Sequence, residues 1–251
     1  MKQLIKIGIK KITNYTDYLT ILLLKNIIYL LVQWALWTTI LRYDDSLGSI
    51  HSIMSYFLIV QGLDTLYPYT SMDVSDDIKS GDIINKLCKP VSLVQQYFYE
   101  AFGSSITKFC TVVGVNFIAL IFFAQSISGT KLLGLFLLII AGYLLNFSIE
   151  LLFGSIAFFT QSIWGIESLK SAVKVIFAGS IVPIYYYPKW LVQIANLLPF
   201  SYTQGNIAAY FNGERTLFSI LGIQVIYVVV FMLGAQMILR YGLRQLSING
   251  G

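Results

Sequence analysis

Residues 132–159 read LLGLFLLIIAGYLLNFSIELLFGSIAFF, a stretch in which Glu150 is the one charged side chain. A helix of this length crosses the hydrocarbon core of a bilayer, which takes about 20 apolar residues. The whole chain of 251 residues has the same character, with 57% apolar and 12% charged residues and a mean hydropathy of +0.73. Soluble domains carry about twice that charge. The composition excludes an ordinary cytosolic enzyme, a disordered chain and a disulfide scaffold.

Similar apolar stretches predict an all-α integral membrane protein with a single transmembrane domain over residues 1–251. Four of the predicted spans are strongly apolar. The second and fifth are weaker and carry ionisable residues such as Asp64 and Lys170, which a helix tolerates when it packs inside a bundle. The six predicted transmembrane helices are residues 19–41, 51–70, 106–127, 132–159, 163–182 and 215–239.

Basic residues predict the orientation of the chain. With a cytosolic N-terminus, four of the 17 Lys and Arg residues fall outside and the others inside, as the positive-inside rule requires. Lys25 and Lys108 lie near inner span ends, where their ammonium groups can reach the interface. We expect a multi-pass protein of the cell membrane with both termini cytosolic. The net charge of +5 then reflects topology and not a nucleic-acid-binding patch.

Two further segments are apolar but do not span. In residues 1–18, isoleucines at helical spacing oppose lysines, which predicts a helix in the inner headgroup region; a plain basic topology anchor is the alternative. Residues 183–213 are cut by three prolines into pieces too short to cross a bilayer. They predict a re-entrant hairpin on the outer side before the last span. The prolines are Pro183, Pro188 and Pro199.

The sequence lacks the residues of an enzyme. No G-x-x-x-x-G-K-[ST] phosphate loop occurs, so any ATP hydrolysis must take place on another chain. The chain has a single histidine, His51, and its two cysteines, Cys88 and Cys110, have no metal-ligand spacing. Asp64 and Glu150 lack the supporting motifs of an intramembrane protease. We expect no catalytic residue, no metal and no cofactor bound by this chain.

Charged residues inside the predicted spans have more than one interpretation. Glu150 is either a proton-relay or substrate group, or a carboxyl group satisfied by a neighbouring Ser or Asn. Asp64 is a second candidate for the transport pathway. Glu167, Lys170 and Lys174 share one face of the fifth span. We favour a solvated helix end for that face over an inner gate or a partner contact.

The most informative loop is residues 71–97. Three aspartates before Ile78 suit a helix start electrostatically, and Gly81 suits the helix end. Asp82 is expected to cap a second short helix, which Pro90 ends. Exposed apolar residues on a short helix outside the membrane are typical of a docking surface; a helix resting on the inner leaflet is the alternative. The residues expected to be exposed are Ile78, Ile83, Ile84 and Leu87.

Residues 77–92 read DIKSGDIINKLCKPVS. This run resembles the first cytosolic loop of bacterial ABC-2 type permeases, whose pattern is roughly D-I-x-x-G-x-I-x-x-x-L-x-K-P-V-S. The order and spacing of further motifs also match, so the resemblance covers nearly the whole chain. It implies half of a six-span exporter in a bacterial cell membrane, with an N-terminal interfacial helix, a cytosolic coupling helix and outer re-entrant helices. The later motifs include Gly179, Pro183, Pro188 to Leu191, Leu198 to Phe200, and Arg240 to the terminal Gly250-Gly251.

The resemblance also implies partners and site residues. Two permeases, copies or paralogues, work with two separate ABC ATPase subunits that hold ATP and Mg. The residues implied in coupling to the ATPase are Asp77, Ile78, Gly81, Asp82, Ile83, Leu87 and Pro90. Such permeases pair through their first and fifth spans, where small residues permit close approach. The residues expected at this interface are Gln33, Trp34, Trp37, Ala178 and Gly179.

We therefore expect the transmembrane permease subunit of an ATP-driven ABC exporter. The scarcity of charge in the spans fits an amphiphilic or hydrophobic cargo, such as a peptide, an antibiotic or a lipid-like molecule. Two alternatives stay open. One is an ion- or proton-coupled carrier that uses Glu150 and Asp64, although the inverted repeats common in such carriers are not found. The other is a membrane protein that acts in immunity or as a scaffold without transport.

Overall fold

A computed structural model describes residues 1–14, 16–44, 47–123, 128–160 and 162–249. Within these residues all regular structure is helical, which confirms the predicted all-α class. Two predicted features lie outside the described residues: the end of the third span at 124–127 and the terminal Gly250-Gly251.

Thirteen α-helices make up most of the described part of the chain. They are α1 (Lys2–Thr13), α2 (Thr16–Tyr43), α3 (Ile50–Leu66), α4 (Thr70–Ser80), α5 (Ile83–Leu87), α6 (Leu93–Lys108), α7 (Gly114–Phe123), α8 (Gly129–Ser155), α9 (Trp164–Phe177), α10 (Lys189–Leu197), α11 (Phe200–Thr203), α12 (Gly205–Phe211) and α13 (Leu217–Asn249). A π-helical segment, Phe109–Val113, makes α6 and α7 continuous. Short 3-10 turns occupy Ile156–Phe158 and Ile184–Tyr186.

Four helical stretches are long and apolar enough to cross a membrane. They are Asp17–Tyr43, Leu93–Phe123, Gly129–Phe158 and Leu217–Arg244. These stretches contain most of the four strongly apolar predicted spans. The two weaker predicted spans fall short of the ~20 residues that a crossing needs, because α3 has 17 residues and α9 has 14. Backbone constraints end both: Pro68 follows α3, and Gly179 follows α9 with a φ of +76°.

The helix that contains the third predicted span begins earlier than the sequence predicts. It starts at Leu93, where the Ser92 hydroxyl accepts the backbone N–H of Gln95 at 3.3 Å, and not at residue 106. Its first turns contain Gln96 and Glu100, which lower the local hydropathy. A hydropathy window therefore assigns this part of the helix to the preceding loop.

Helix α3 lies at the centre of the bundle. Every residue from Ile53 to Leu63 is buried, and helices α2, α7 and α12 pack around it. Its polar residues, such as Gln61, therefore face protein and not lipid. This is the environment in which an apolar helix tolerates polar side chains.

The chain after α9 folds back along α3. The Tyr56 hydroxyl donates to the carbonyl of Gly179 at 3.1 Å and fixes the start of this segment. Helix α12 then runs antiparallel to α3. The amide of Gln204 donates to Asp64 near the C-terminal end of α3 at 3.0 Å, and the amide of Asn212 donates to the Ser52 carbonyl near the N-terminal end at 2.7 Å.

Helix α1 packs directly on α6. The residues it buries are Leu4, Gly8 and Ile12. Ile12 belongs to the predicted isoleucine face, whereas Leu4 and Gly8 each precede an isoleucine of that face by one position. Two glycines let the backbones approach closely: a Cβ at Gly8 would collide with the carbonyl of Glu100, and a Cβ at Gly103 with the carbonyl of Ile5. The predicted helix is therefore present, and it is seated against protein along its buried face.

Replacing Gly8 by Leu should release α1 from α6. Overpacking of this kind costs about 1–3 kcal/mol, so trypsin should cleave after Lys10 and Lys11 faster than in the unmodified chain. The matched control is Gly222→Leu on α13, where nothing lies within 4 Å of the added Cβ. Equal cleavage rates in the two variants would contradict the packing of α1.

Candidate functional site

A helical turn formed by α4, Gly81 and α5 is the first part of the candidate site. Gly81 ends α4 in the left-handed region, with a φ of +81°, a conformation that glycine adopts without a steric penalty. The Ser80 hydroxyl accepts the backbone N–H of Asp82 at 3.3 Å and tightens the turn. The predicted helix–glycine–helix arrangement is confirmed. Helix α4 begins at Thr70, well before the aspartates.

The apolar residues of this turn divide into a buried and an exposed set. Ile84 is 60% exposed and Leu87 is 47% exposed, whereas Ile83 is only 1% exposed. Ile83 packs in a core cluster with Val74 and Tyr97, and Ile78 packs partly buried against the same cluster. The expectation that Ile83 is exposed is therefore wrong, because it anchors α5 to α6.

A three-helix clamp holds the turn in place. The Lys86 ammonium lies 2.8 Å from Asp77 on α4 and 2.9 Å from Glu100 on α6, and the Tyr97 hydroxyl donates to Asp77 at 2.8 Å. Burial lowers the pKa of Lys86, but its hydrogen bonds and charge attraction to Asp77 and Glu100 outweigh burial and raise the pKa above its ordinary value. Asp77, predicted at the docking surface, therefore stabilises the turn itself.

The other predicted residues of the turn are close to its surface. Asp82 occupies the N-cap position of α5, but its carboxylate accepts the side-chain amide of Asn85 at 3.2 Å and makes no backbone cap. Pro90 is exposed beyond α5. The Gln96 amide, which the sequence analysis did not single out, donates to the carbonyls of Lys86 and Val91, both at 2.8 Å. Its role has no sequence signal, because its partners are backbone carbonyls of α5 and of the irregular segment that follows.

Buried charge lies at the opposite end of α4. Lys170 on α9 contacts Glu150 on α8 at 2.5 Å and Glu167 at 2.9 Å. Glu150 also accepts the backbone N–H of Ser71 at 3.3 Å and its hydroxyl at 2.5 Å. All four residues are buried. The solvated helix end expected for α9 is therefore wrong at Glu167 and Lys170, because α4 and α8 cover that face.

A second, partly buried ion pair lies beside the first. Lys174 contacts Asp64 on α3 at 2.9 Å, and the Gln204 amide donates to the same Asp64 oxygen at 3.0 Å. Lys25 on α2 lies 3.9 Å from the other oxygen of Asp64. This cluster joins α9 to α3, to α2 and to Gln204, the residue before α12.

The first of these clusters connects α4 mechanically to the bundle. Ser71 lies in the first turn of α4, where backbone N–H groups have no partner within the helix. Glu150 accepts one of them from a different helix, and a carboxylate at that position also interacts favourably with the helix dipole. Removing one partner of a buried ion pair destabilises a protein by several kcal/mol, because the other charge stays buried without compensation. Displacement of α4 along its axis is therefore resisted by α8 and α9.

The residues expected at a permease interface lie in two environments. Trp34 is 50% exposed. Gln33 and Trp37 are buried and bonded to each other, with the indole N–H donating to Gln33 at 3.2 Å. Ala178 and Gly179 are buried inside this chain, and a Cβ at Gly179 would collide with the Tyr56 hydroxyl and Ile184. We correct the expectation for Gln33, Trp37, Ala178 and Gly179, because this chain itself covers all four residues.

Within the described ranges, no group of three or more His, Cys, Asp and Glu side chains could hold a metal ion. The fold and the site define a class, a helical membrane protein with several spans and a short helical turn tied to buried ion pairs. The family described as ABC-2 family transporter protein matches residues 21–250. The chain belongs to this family, which confirms the resemblance seen in the sequence. No curated protein matches the chain, and no solved structure does.

Replacing Lys170 by Met should destabilise the protein by about 3–5 kcal/mol, because Glu150 and Glu167 lose their shared cation while staying buried. Thermal unfolding in detergent measures the effect. The matched control is Lys79→Met, at an exposed position of α4. Adding Glu150→Gln to Lys170→Met should recover part of the loss. If the two lysine variants unfold at the same temperature, the buried pair does not hold the bundle together.

Proposed function

We propose that this chain is the transmembrane permease subunit of an ATP-driven exporter, and that the α4–Gly81–α5 turn docks into a separate ATPase subunit. The observation that carries this proposal is the exposure of Ile84 and Leu87 on a turn that is otherwise clamped. Free apolar residues outside the spans are costly unless a partner covers them. Membership of a transporter family supports the same conclusion. ATP and Mg would be held by the ATPase and not by this chain.

The path of force follows from the contacts of α4. Closure of two ATPases on ATP would push the turns of two permeases. The Ser71–Glu150–Lys170 contacts would pass the movement to α8 and α9. The Lys174–Asp64–Gln204 contacts would pass it to α3 and α12. The exporter would thereby alter the passage between its two permeases.

We further propose six crossings, with α3 and α9 as the short ones. The 17 residues of α3 rise by about 26 Å, slightly less than the ~30 Å hydrocarbon core. A short crossing is acceptable for α3 because other helices, and not lipid, surround it. Residues 183–213 would enter from the outer side and return along α3 through α12. Both termini would then be cytosolic.

A second permease would cover faces that this chain leaves open. Helix α2 is barely covered by the rest of the chain, and Trp34 lies on its open side. On α9, Leu169 and Val175 are exposed. These residues replace Ala178 and Gly179 as the proposed contacts between the first and fifth spans. The partner would be a copy of this chain or a paralogue.

The ion pairs also bear on the cargo. Each carboxylate of the two clusters has a lysine within 3 Å, and Glu150 and Glu167 share Lys170, so none of these three carboxylates is without a cationic partner. A path bounded by paired charges and apolar side chains suits an amphiphilic or hydrophobic cargo. It is less suited to a proton-coupled carrier, which needs a carboxylate free to exchange protons.

Replacing both Ile84 and Leu87 by Ser should weaken association with the ATPase by about tenfold or more, since the lost apolar contact exceeds 1.4 kcal/mol. Co-purification of the ATPase from the native membrane measures this. The control is Leu197→Ser, which removes an even more exposed leucine from α10, at 76% exposure. Full ATPase recovery with the double variant would reject the docking surface. Failure of the unmodified chain to bring down any ATPase would reject the function.

Cys88 reports the orientation of the turn. It is exposed beyond α5, and the chain has one other cysteine, Cys110. In a Cys110→Ala variant, a membrane-impermeant maleimide should label Cys88 after permeabilisation and not in intact cells. Leu197→Cys, placed in a chain without the native cysteines, should be labelled in intact cells. Labelling of Cys88 in intact cells would contradict the cytosolic position of the turn.

A further inference from the structure

A cavity of about 460 Å³ lies between α1, α2, the C-terminal end of α6 and the connection that leads into α4. Ile12 and Ile21 form apolar parts of its wall. Lys108, the last residue of α6, also lines it. The π-helical segment begins at the next residue, and such irregular turns within helices often accompany functional sites.

Lys108 is a buried cation without a carboxylate partner. The residue is 4% exposed, and its ammonium lies 3.4 Å from the Tyr67 carbonyl and 5.9 Å from the centre of the Tyr69 ring. Among the ion pairs of the described residues, Lys170 and Lys174 have carboxylates within 3 Å, and Lys108 has none. A buried ammonium with one long hydrogen bond is left with unused donors.

The other charged groups around the cavity do not satisfy Lys108. Lys11 and Asp73 also line the cavity, and they form an ion pair with each other. Asp17 lines it as well, but it is exposed to the surroundings. Asp73 and Asp64 attract Lys108 only from a distance. The cavity therefore combines apolar walls with a buried ammonium that makes no ion pair with any described carboxylate.

We propose that this cavity binds a membrane phospholipid, with its phosphate paired to Lys108. The phosphate supplies the missing negative charge and accepts several hydrogen bonds. The acyl chains would leave along the exposed apolar face of α2, where Ile21 and Leu24 lie. Helix α1 would form one wall, so the bound lipid would stabilise its seat on α6. This site goes beyond the proposed transport function and does not depend on it.

Native mass spectrometry of the full chain, purified with any subunits that accompany it and stripped of lipid, tests the site. Added phosphatidylglycerol should be retained as one tightly bound molecule. Lys108→Met should lower its occupancy by about tenfold or more, as expected for loss of a charged hydrogen bond, and Lys108→Arg should retain it. The matched control is Lys10→Met, an exposed lysine of α1 outside the cavity lining, which should bind as before.

Two further measurements test separately the role of the phosphate and the role of the cavity. Diacylglycerol with the same acyl chains lacks the phosphate and should not be retained; retention equal to that of phosphatidylglycerol would overturn the role of Lys108. Should Lys108→Met fail to fold, Ile21→Trp narrows the cavity at an exposed position and should lower phosphatidylglycerol occupancy. Unchanged occupancy in either folded variant would overturn the proposal.

Discussion

The arrangement of this protein depends on the ion pair between Lys170 and Glu150. In a region of low dielectric constant, neither charge is tolerated without the other, so α8 and α9 must stay in register at this level. Glu167 and Ser71 complete the coordination and bring the start of α4 to the same point. The short helix α4 is thereby attached to α8, which is long enough to span a membrane, and to α9. The positions of α4 and α9 relative to α8 follow from this requirement.

The distribution of polar residues is explained by the same constraint. The groups paired within 3 Å lie on the short helices α3 and α9, on the residue before α12, and toward the C-terminal end of α8, whereas Lys25 on α2 is 3.9 Å from Asp64. The long helices α2 and α13 are barely covered by the chain and are apolar, whereas α8 is mostly covered. Apolar length is therefore needed where lipid or a partner surrounds a helix. Where protein surrounds it, as around α3, length and polarity are free to vary.

The difference between barely covered helices and helices surrounded by protein also explains what could be predicted from the sequence. Hydropathy identifies α2, α8 and α13, because exposure to lipid demands continuous apolar residues. Gly81 identifies the turn, because its conformation is local. The partners of Lys170 escape prediction, since Glu150 is 20 residues away in the chain and Ser71 is 99. Helical spacing places Lys170 on a face of α9, but it does not say which helix covers that face.

Ile83 and Ile84 illustrate the same limit at the level of neighbouring residues. Both are apolar and both belong to the short helix α5, yet one is in the core and the other exposed. In five residues a helix has too few turns for a periodic pattern to distinguish its faces. This arrangement would suit docking. The packing of Ile83 and the ion pairs of Lys86 would resist displacement of the turn by a force applied at Ile84. The turn can then move only together with α4 and α6, and α4 is held at its other end by Glu150.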